Sequence, residues 1–135
     1  MSKSYIVKVK TDLTIEKVEF NAEDLLTQLQ EAVGGYIVRV PADMKYDLDL
    51  WVNDNGLLLR KPLNGILSLA HSIGADRVEL LVGDGVFTCH DEKGRTIGIK
   101  EDIADNLVEM LNEVKSAWLS YSKSLHKGVR DGRRD

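Results

Sequence analysis

Leu25-Leu26-Thr27-Gln28-Leu29-Gln30-Glu31-Ala32-Val33-Gly34-Gly35-Tyr36-Ile37-Val38-Arg39-Val40 joins a helix to a strand through two glycines. Leu25, Leu26, Leu29 and Val33 recur at helical spacing and share one face. Asn21 precedes the run as a candidate N-cap, because its side-chain oxygen can accept from the free N–H groups of the first turn. Glu23 and Asp24 then stand where the helix dipole favours negative charge. The helix is expected over residues 22–33. Gly34 is placed for the left-handed residue that closes a helix. Gly35 lets the chain reverse into a strand over residues 36–40, rich in β-branched and aromatic residues. The two glycines have a second reading, a backbone that approaches a ligand closely.

Leu29-Gln30-x-x-Val33-Gly34-Gly35-x-Ile37 resembles the core signature of an uncharacterised domain family found in bacteriophages and mobile elements. The later motifs follow in the same order: Asn53 ending a strand, Asn55-Gly56 in a turn, Pro62, Asn64, and the pair Gly83-Asp84. The likeness covers about residues 24–103. It implies an origin in a phage or mobile element and implies no reaction.

Outward from this joint the chain reads as alternating short strands and amphipathic helices. Residues 4–10 alternate, with Tyr5, Val7 and Val9 on one side and Ile6, Lys8 and Lys10 on the other; residues 15–20 alternate again, which predicts a first hairpin. Pro41 ends the strand at residues 36–40 or holds it at an edge. Asp47, Asp49 and Trp51 alternate with Leu48, Leu50 and Val52, a strand with one acidic face. Asn53-Asp54-Asn55-Gly56 signals a turn, after which residues 57–60 are expected to return as a strand. Leu63, Ile66, Leu67, Ala70 and Ile73 recur helically, with Asn64 as cap or first-turn residue. The apolar run 78–82 predicts a central strand covered on both faces. Gly83-Asp84-Gly85 predicts a hairpin turn, residues 86–89 pair back, and residues 96–99 close a small meander. Ile103, Leu107, Met110, Leu111, Val114, Trp118, Tyr121 and Leu125 mark a long helix over residues 101–124, with Glu101, Asp102 and Asp105 at its start. Lys100 is a poor N-cap for it.

The fold expected is therefore α+β: an antiparallel or mixed sheet of about six to seven strands and three helices, including a long C-terminal helix, the helices lying mainly on one face. Residues 1–125 form one domain, and residues 126–135 a basic flexible C-terminal tail. The helix is longer than the sheet requires, which makes Trp118, Tyr121 and Leu125 candidate interface residues and a homo-oligomer the expected consequence.

Composition restricts the function classes. The 135 residues are 43% hydrophobic and 30% charged, with a net charge of −4. That balance suits a soluble domain and argues against nucleic acid as the main partner. A single Cys89 excludes an internal disulfide and fits a reducing compartment. No apolar run approaches the length of a membrane span, and residues 4–10 are too short and too alternating for a signal region. The expected location is the cytoplasm, that of the host if the protein is phage-encoded.

Most chemical motifs fail on spacing. His71, His90 and His126 form no i, i+4 pair, so the zinc-protease helix is absent. Cys89 and His90 are strand neighbours and point to opposite faces, which makes them poor joint ligands or nucleophile and base. No phosphate loop occurs. Gly83-x-Gly85 lacks the third glycine of a dinucleotide site, and Asn53–Gly56 lacks the closing glutamate of a calcium loop. Asp43, Asp47, Asp49 and Asp54 form the densest acidic group, read either as a divalent-ion site or as a solvated face. From Lys123 to Asp135, five Lys/Arg and two Asp give +3 and leave −7 on residues 1–122. A basic tail can hold phosphates or simply keep the terminus soluble.

These readings favour a non-enzymatic phage or mobile-element accessory protein that binds a host factor or defence component, without cofactor or metal. One form is an inhibitor that uses the face around Asp47, Asp49 and Trp51. A second form is a sponge that sequesters a nucleotide immune signal, with Gly34, Gly35, Tyr36, Arg39, Asn53, Arg60 and Asn64 as candidate ligand-binding residues; Lys61 and Arg77 are further phosphate-binding candidates. The alternative class is a metal-dependent phosphate-processing enzyme built on Asp43–Asp54.

Overall fold

Strand β1 (Ser4–Val9) carries apolar side chains on both faces, and that property sets the architecture. Ile6, Val7 and Val9 are all fully buried, although Ile6 and Val7 must point to opposite sides. The computed structural model describes residues 3–40, 45–73 and 79–132, with side chains described as far as residue 123. Among these residues, seven strands form one antiparallel sheet. The main path runs β2 (Ile15–Glu19), β1, β5 (Gly85–His90), β4 (Leu48–Asn53), β3 (Ile37–Arg39). Two short strands, β6 (Thr96–Ile97) and β7 (Ile99–Lys100), pair with β5 and β1.

Helix α1 (Leu25–Val33) covers one face, where Leu29 and Val33 pack with Ile6 and Val86. Helices α2 (Gly65–Ile73) and α3 (Glu101–Gly132) cover the other. There Ile66, Leu67, Leu107, Leu111 and Val114 meet Val7, Val9, Leu50 and Phe87. The fold is α+β as expected, with two of the three helices on one face and α1 alone on the opposite one. Among the described residues, no helix is long and apolar enough to cross a membrane.

The helix–strand joint holds at its C-terminal end. Gly34 adopts φ 75°, ψ 32°, and its N–H donates to Gln30 O at 2.8 Å, the left-handed cap that glycine adopts without a Cβ penalty. The N-terminal end differs. Helix α1 begins at Leu25, not at residue 22, and Asp24 stands at the cap position without a side-chain bond. Asn21 instead accepts from Glu23 N at 3.2 Å, a local turn that competes with helix. The Gln28 side chain ties Asn21 N and Glu19 O together ahead of it.

Two expected strands are absent for a shared reason. Residues 57–60 form tight turns in which Leu59 N donates to Asn55 O and Arg60 N to Leu57 O. They cannot return on β4, because it is already paired with β5 on one side and β3 on the other. The described part of the run 78–82 is a strap along α2, touching a strand only through the bridge Leu63–Val82. Its backbone is held by helix side chains: Leu81 N donates to Ser68 Oγ, Ser68 Oγ donates to Leu81 O, and Glu79 N donates to Ser72 Oγ. Strand β5 therefore does not fold back on that run. It is itself the central strand, with Val86, Phe87, Thr88 and Cys89 buried between β1 and β4. The last strands also divide, β6 returning on β5 while β7 crosses to β1.

Helix α3 starts beside β2, where Lys17 Nζ lies 2.7 Å from Asp105 and 3.7 Å from Glu101. The hydrogen bond to Asp105 holds the Lys17 ammonium above its ordinary pKa. The helix passes the expected end at residue 124 and reaches Gly132. The side chains of Leu125, His126, Lys127 and Arg130, together with residues 41–44, 74–78 and 133–135, lie outside what is described. The readings placed on Pro41, Asp43, Arg77 and the basic tail fall there.

Candidate functional site

The residues that carry the family resemblance come together in space. Asn53, at the end of β4, donates from Nδ2 to Val33 O at 3.2 Å and accepts at Oδ1 from Asn55 N at 2.7 Å. A Cβ on Gly35 would sit 2.7 Å from that same Nδ2, so this position accepts only a residue without one. Asn64 is completely buried; its Nδ2 donates to Val9 O and to Gly83 O, each at 3.0 Å. Its Oδ1 accepts from Leu67 N at 3.0 Å, which makes it the N-cap of α2. Gly83, at φ 79°, donates from N to Pro62 O at 2.8 Å. The aliphatic stem of Lys61 passes beside Gly83, and its ammonium lies beside Gly34. The motif residues thus lock the end of α1, the end of β4, the start of α2 and the entry to β5 to one another.

What this lock presents to solvent is the loop at residues 57–60, where the sequence predicts a strand. Leu57, Leu58 and Leu59 are 81%, 85% and 59% exposed. Arg60 follows at φ 52°, and Lys61 N closes the loop on Gly56 O at 3.0 Å. The base of the loop is joined to the edge strand, because Asp54 N donates to Tyr36 O at 2.8 Å. Along that edge Tyr36 and Val38 are exposed. Three consecutive leucines do not alternate as a half-buried strand requires, but an apolar run reads equally as a buried strand, so the sequence alone does not mark this loop.

A second cluster crosses β3, β4 and β5 on the face that carries α1. Asp49 is buried between two partners, with Arg39 Nη1 at 3.5 Å from Oδ1 and His90 Nδ1 at 2.9 Å from Oδ2. His90 Nε2 faces Asp47 Oδ1 at 3.8 Å, and on the same β4–β5 pair Trp51 Nε1 donates to Thr88 Oγ1 at 2.9 Å. Asp49 is therefore not part of a solvated acidic face. The alternation of apolar and acidic residues gives the side of the strand but not what covers that side.

Beside His90 the β5–β6 turn lines an open cleft of about 780 Å³, with Asp47, Asp91, Glu92, Lys93, Gly94 and Arg95 around it. Asp91 accepts from the backbone N–H groups of Lys93 and Arg95 and from Arg95 Nε. These bonds, the Arg95 backbone bond foremost, hold its carboxyl below the ordinary range. This arrangement can orient an imidazole toward the cleft through Asp49, and among the described residues the cleft lining holds no Ser, Thr or Cys for it to activate. Cys89 packs with the core of the other face. Burial, then the nearby Asp47 and Asp49 charges, push its thiol up to about 11.

The remaining candidates are dispersed. Arg39 is engaged by Asp49, Tyr36 stands exposed on the edge strand, and Arg60 sits in the leucine loop; none of the three lines the cleft. Asp54 lies past the end of β4 while Asp47 precedes its start, so these two carboxylates are held a strand's length apart. Among the described residues no group of three His, Cys, Asp or Glu is arranged to hold a metal. Trp118 packs on Gly65 at the start of α2, where a Cβ would overlap its indole, and Tyr121 beside it is 58% exposed.

Residues 2–112 match the model of the family described as Domain of unknown function (DUF3846). No curated protein and no solved structure matches the chain.

Proposed function

Because the chain belongs to the DUF3846 family, whose description names no reaction or ligand, we propose its function from its surface: it is a protein-binding module that docks through Leu57, Leu58 and Leu59. The observation that carries this reading is the exposure of three consecutive leucines on a loop closed by its own hydrogen bonds. A run of exposed apolar residues is a patterning fault unless a partner covers it. Full burial of one leucine contributes about 2 kcal/mol, so the loop carries enough apolar surface to anchor an interface. Tyr36 and Val38 on β3, an edge strand among the described residues, extend the same surface with an aromatic anchor and a strand edge open to pairing.

The phage or mobile-element origin implied by the sequence resemblance makes the partner a host or defence protein met in the host cytoplasm. The nucleotide-sponge reading has less support, because Tyr36, Arg39 and Arg60 do not line the cleft formed by the described residues beside His90. The phosphate-enzyme reading has less again, with Asp47 and Asp54 at opposite ends of β4.

A photo-crosslinking residue at Leu58, expressed in the bacterial host, tests the proposal against the same residue at exposed Lys93. The expected result is one host protein captured at position 58 and not at 93. That protein should bind the purified chain, and Leu58→Asp should weaken binding at least tenfold. Equal capture at both positions, or binding indifferent to Leu58→Asp, overturns it.

A further inference from the structure

The chain entering β4 holds a conformation that its side chains do not favour. Tyr46 (φ 62°, ψ 25°) and Asp47 (φ 56°) stand side by side in the left-handed region, in the single turn Lys45–Asp47. Residues with a Cβ populate that region sparsely, and a bulky one such as tyrosine is an outlier there. Such a pair persists only where its surroundings impose it.

Among the described residues two side-chain contacts hold this turn, and both come from β5. Cys89 Sγ donates to Tyr46 O at 3.5 Å, a weak thiol bond. His90 Nε2 stands 3.8 Å from Asp47 Oδ1. The sign of the second contact depends on a proton. The Asp49 carboxylate can only accept, so His90 Nδ1 carries the hydrogen in the 2.9 Å bond between them. In the neutral ring Nε2 is then left with a lone pair that faces the Asp47 carboxylate, acceptor against acceptor. In the imidazolium Nε2 carries a hydrogen, and the same geometry becomes an ion pair that bridges Asp47 and Asp49.

The other groups around the ring do not take over this role. Arg39 lies 3.5 Å from the other oxygen of Asp49, so that charge is already shared. Asp91 is engaged by Arg95 and by the backbone N–H groups of Lys93 and Arg95, and the Arg95 backbone bond foremost holds its carboxyl below the ordinary range. Cys89, its thiol pushed up to about 11, keeps the hydrogen it donates to Tyr46. Glu92, Lys93 and Arg95 complete the charged lining of the cleft, and Thr96, which pairs with His90 from β6, is neutral. Asp47 is the carboxylate whose position answers to the His90 proton.

We propose that His90 is a proton-operated latch on the turn Lys45–Asp47: the imidazolium ties Asp47 to the cleft wall and keeps Tyr46 and Asp47 left-handed, and the neutral ring releases them. Imidazole changes charge between about pH 5 and about pH 8, so the turn is held in acid and freed above neutrality. Asp47 lines the cleft and Tyr46 is exposed. Release therefore changes the cleft wall and the placing of one aromatic side chain together. Asp47 is exposed, so the ion pair is screened by water and the latch shifts a population instead of locking one state.

NMR of the full chain from about pH 5 to about pH 8 tests this. The Cα and Cβ chemical shifts of Tyr46 and Asp47 report the left-handed conformation, and the ring Cε1–H shift of His90 reports its charge. The deviation of Tyr46 from random-coil values should fall by about half across the range, with the midpoint of His90. Asp47→Asn, at an exposed position, should leave the His90 titration visible and the Tyr46 shifts flat. His90→Gln should flatten them as well. Tyr46 shifts that do not move with pH in the wild type overturn the proposal. So does a movement that survives either substitution, or one whose midpoint is not that of His90.

Discussion

Replacing Asn64 tests whether the family-like motifs are an internal lock. Three side-chain hydrogen bonds converge on this fully buried residue, two from its amide nitrogen to Val9 O and Gly83 O and one from Leu67 N to its oxygen. Each contributes about 1 kcal/mol net, and the last is also the α2 cap. Asn64→Ala should cost about 3 kcal/mol and lower Tm by on the order of 10 °C. Asn64→Asp is the more discriminating change. An aspartate keeps the oxygen that caps Leu67, so a residue acting only as a cap would be replaced at little cost. If the two carbonyl bonds matter, a buried carboxylate faces two carbonyl oxygens and the cost at pH 7 is at least that of alanine. The pH dependence then has a definite sign. The introduced carboxyl would have a folded pKa above its unfolded value of about 3.9, because only the protonated acid can donate to a carbonyl. The part of the destabilisation due to ionisation is complete above the folded pKa and disappears as pH falls below the unfolded one, whereas the protonated acid, with one O–H for two carbonyls, still lacks one bond. Urea melts of the wild type and both variants at pH 7 and pH 4.5 read this directly. An Asn64→Asp protein as stable as wild type at pH 7, or one whose deficit does not shrink toward pH 4.5, refutes the two-carbonyl role.

Further outcomes follow from single contacts. Gly34→Val should destabilise by about 1 kcal/mol or more, since φ 75° is strained for a β-branched residue; an unchanged melt contradicts the left-handed cap. Asp49→Ala should cost about 2 kcal/mol by leaving Arg39 and His90 without their buried partner, measured by the same denaturation. Leu58→Asp should stay within about 0.5 kcal/mol of wild type, because it removes no buried contact; a large loss of stability shows that the loop is core and not docking surface. The native Cys89 thiol, raised to about 11, should react with iodoacetamide at pH 8 on the order of 100-fold more slowly than in the unfolded chain; equal rates refute its burial.

Periodicity makes the helices, the first hairpin and the apolar side of β4 legible, because each has one covered face and the sequence alternates accordingly. Leu29 and Val33, Leu107 and Leu111, and Val7 and Val9 are all core residues in the positions their spacing indicates. Residues 79–82 mislead because an apolar run is the same signal for a central strand and for a strap. The decision rests with Ser68, Ser72 and Asn64, whose side chains and backbone take up that strap. Nothing in the run itself encodes those partners. The pairing of Asp49 with His90 is hidden for a similar reason. The two residues are 41 positions apart and meet only because β4 and β5 pair antiparallel with Asp49 opposite Thr88.

The two surprises point in opposite directions, and the contrast bears on function. A carboxylate expected in water is buried, and leucines expected in a strand are in water. Asp49 needs no external explanation, because Arg39 and His90 balance it within the sheet. The leucines have no such account. The residues on either side of them, Asn53 and Asn55-Gly56 before and Lys61-Pro62 after, are fixed by bonds and close approaches to the end of α1, the end of β4 and the entry to β5. A loop held that firmly could be polar at its tip at no cost to the lock, since the leucine side chains take no part in it. Where every neighbouring position agrees with the fold and one does not, the discordant position is the one expected to serve a partner. On that reasoning, changing all three leucines to serine should leave Tm unchanged or raised while abolishing binding of the partner captured at Leu58. A triple variant that melts well below wild type would instead mean that the leucines belong to the fold.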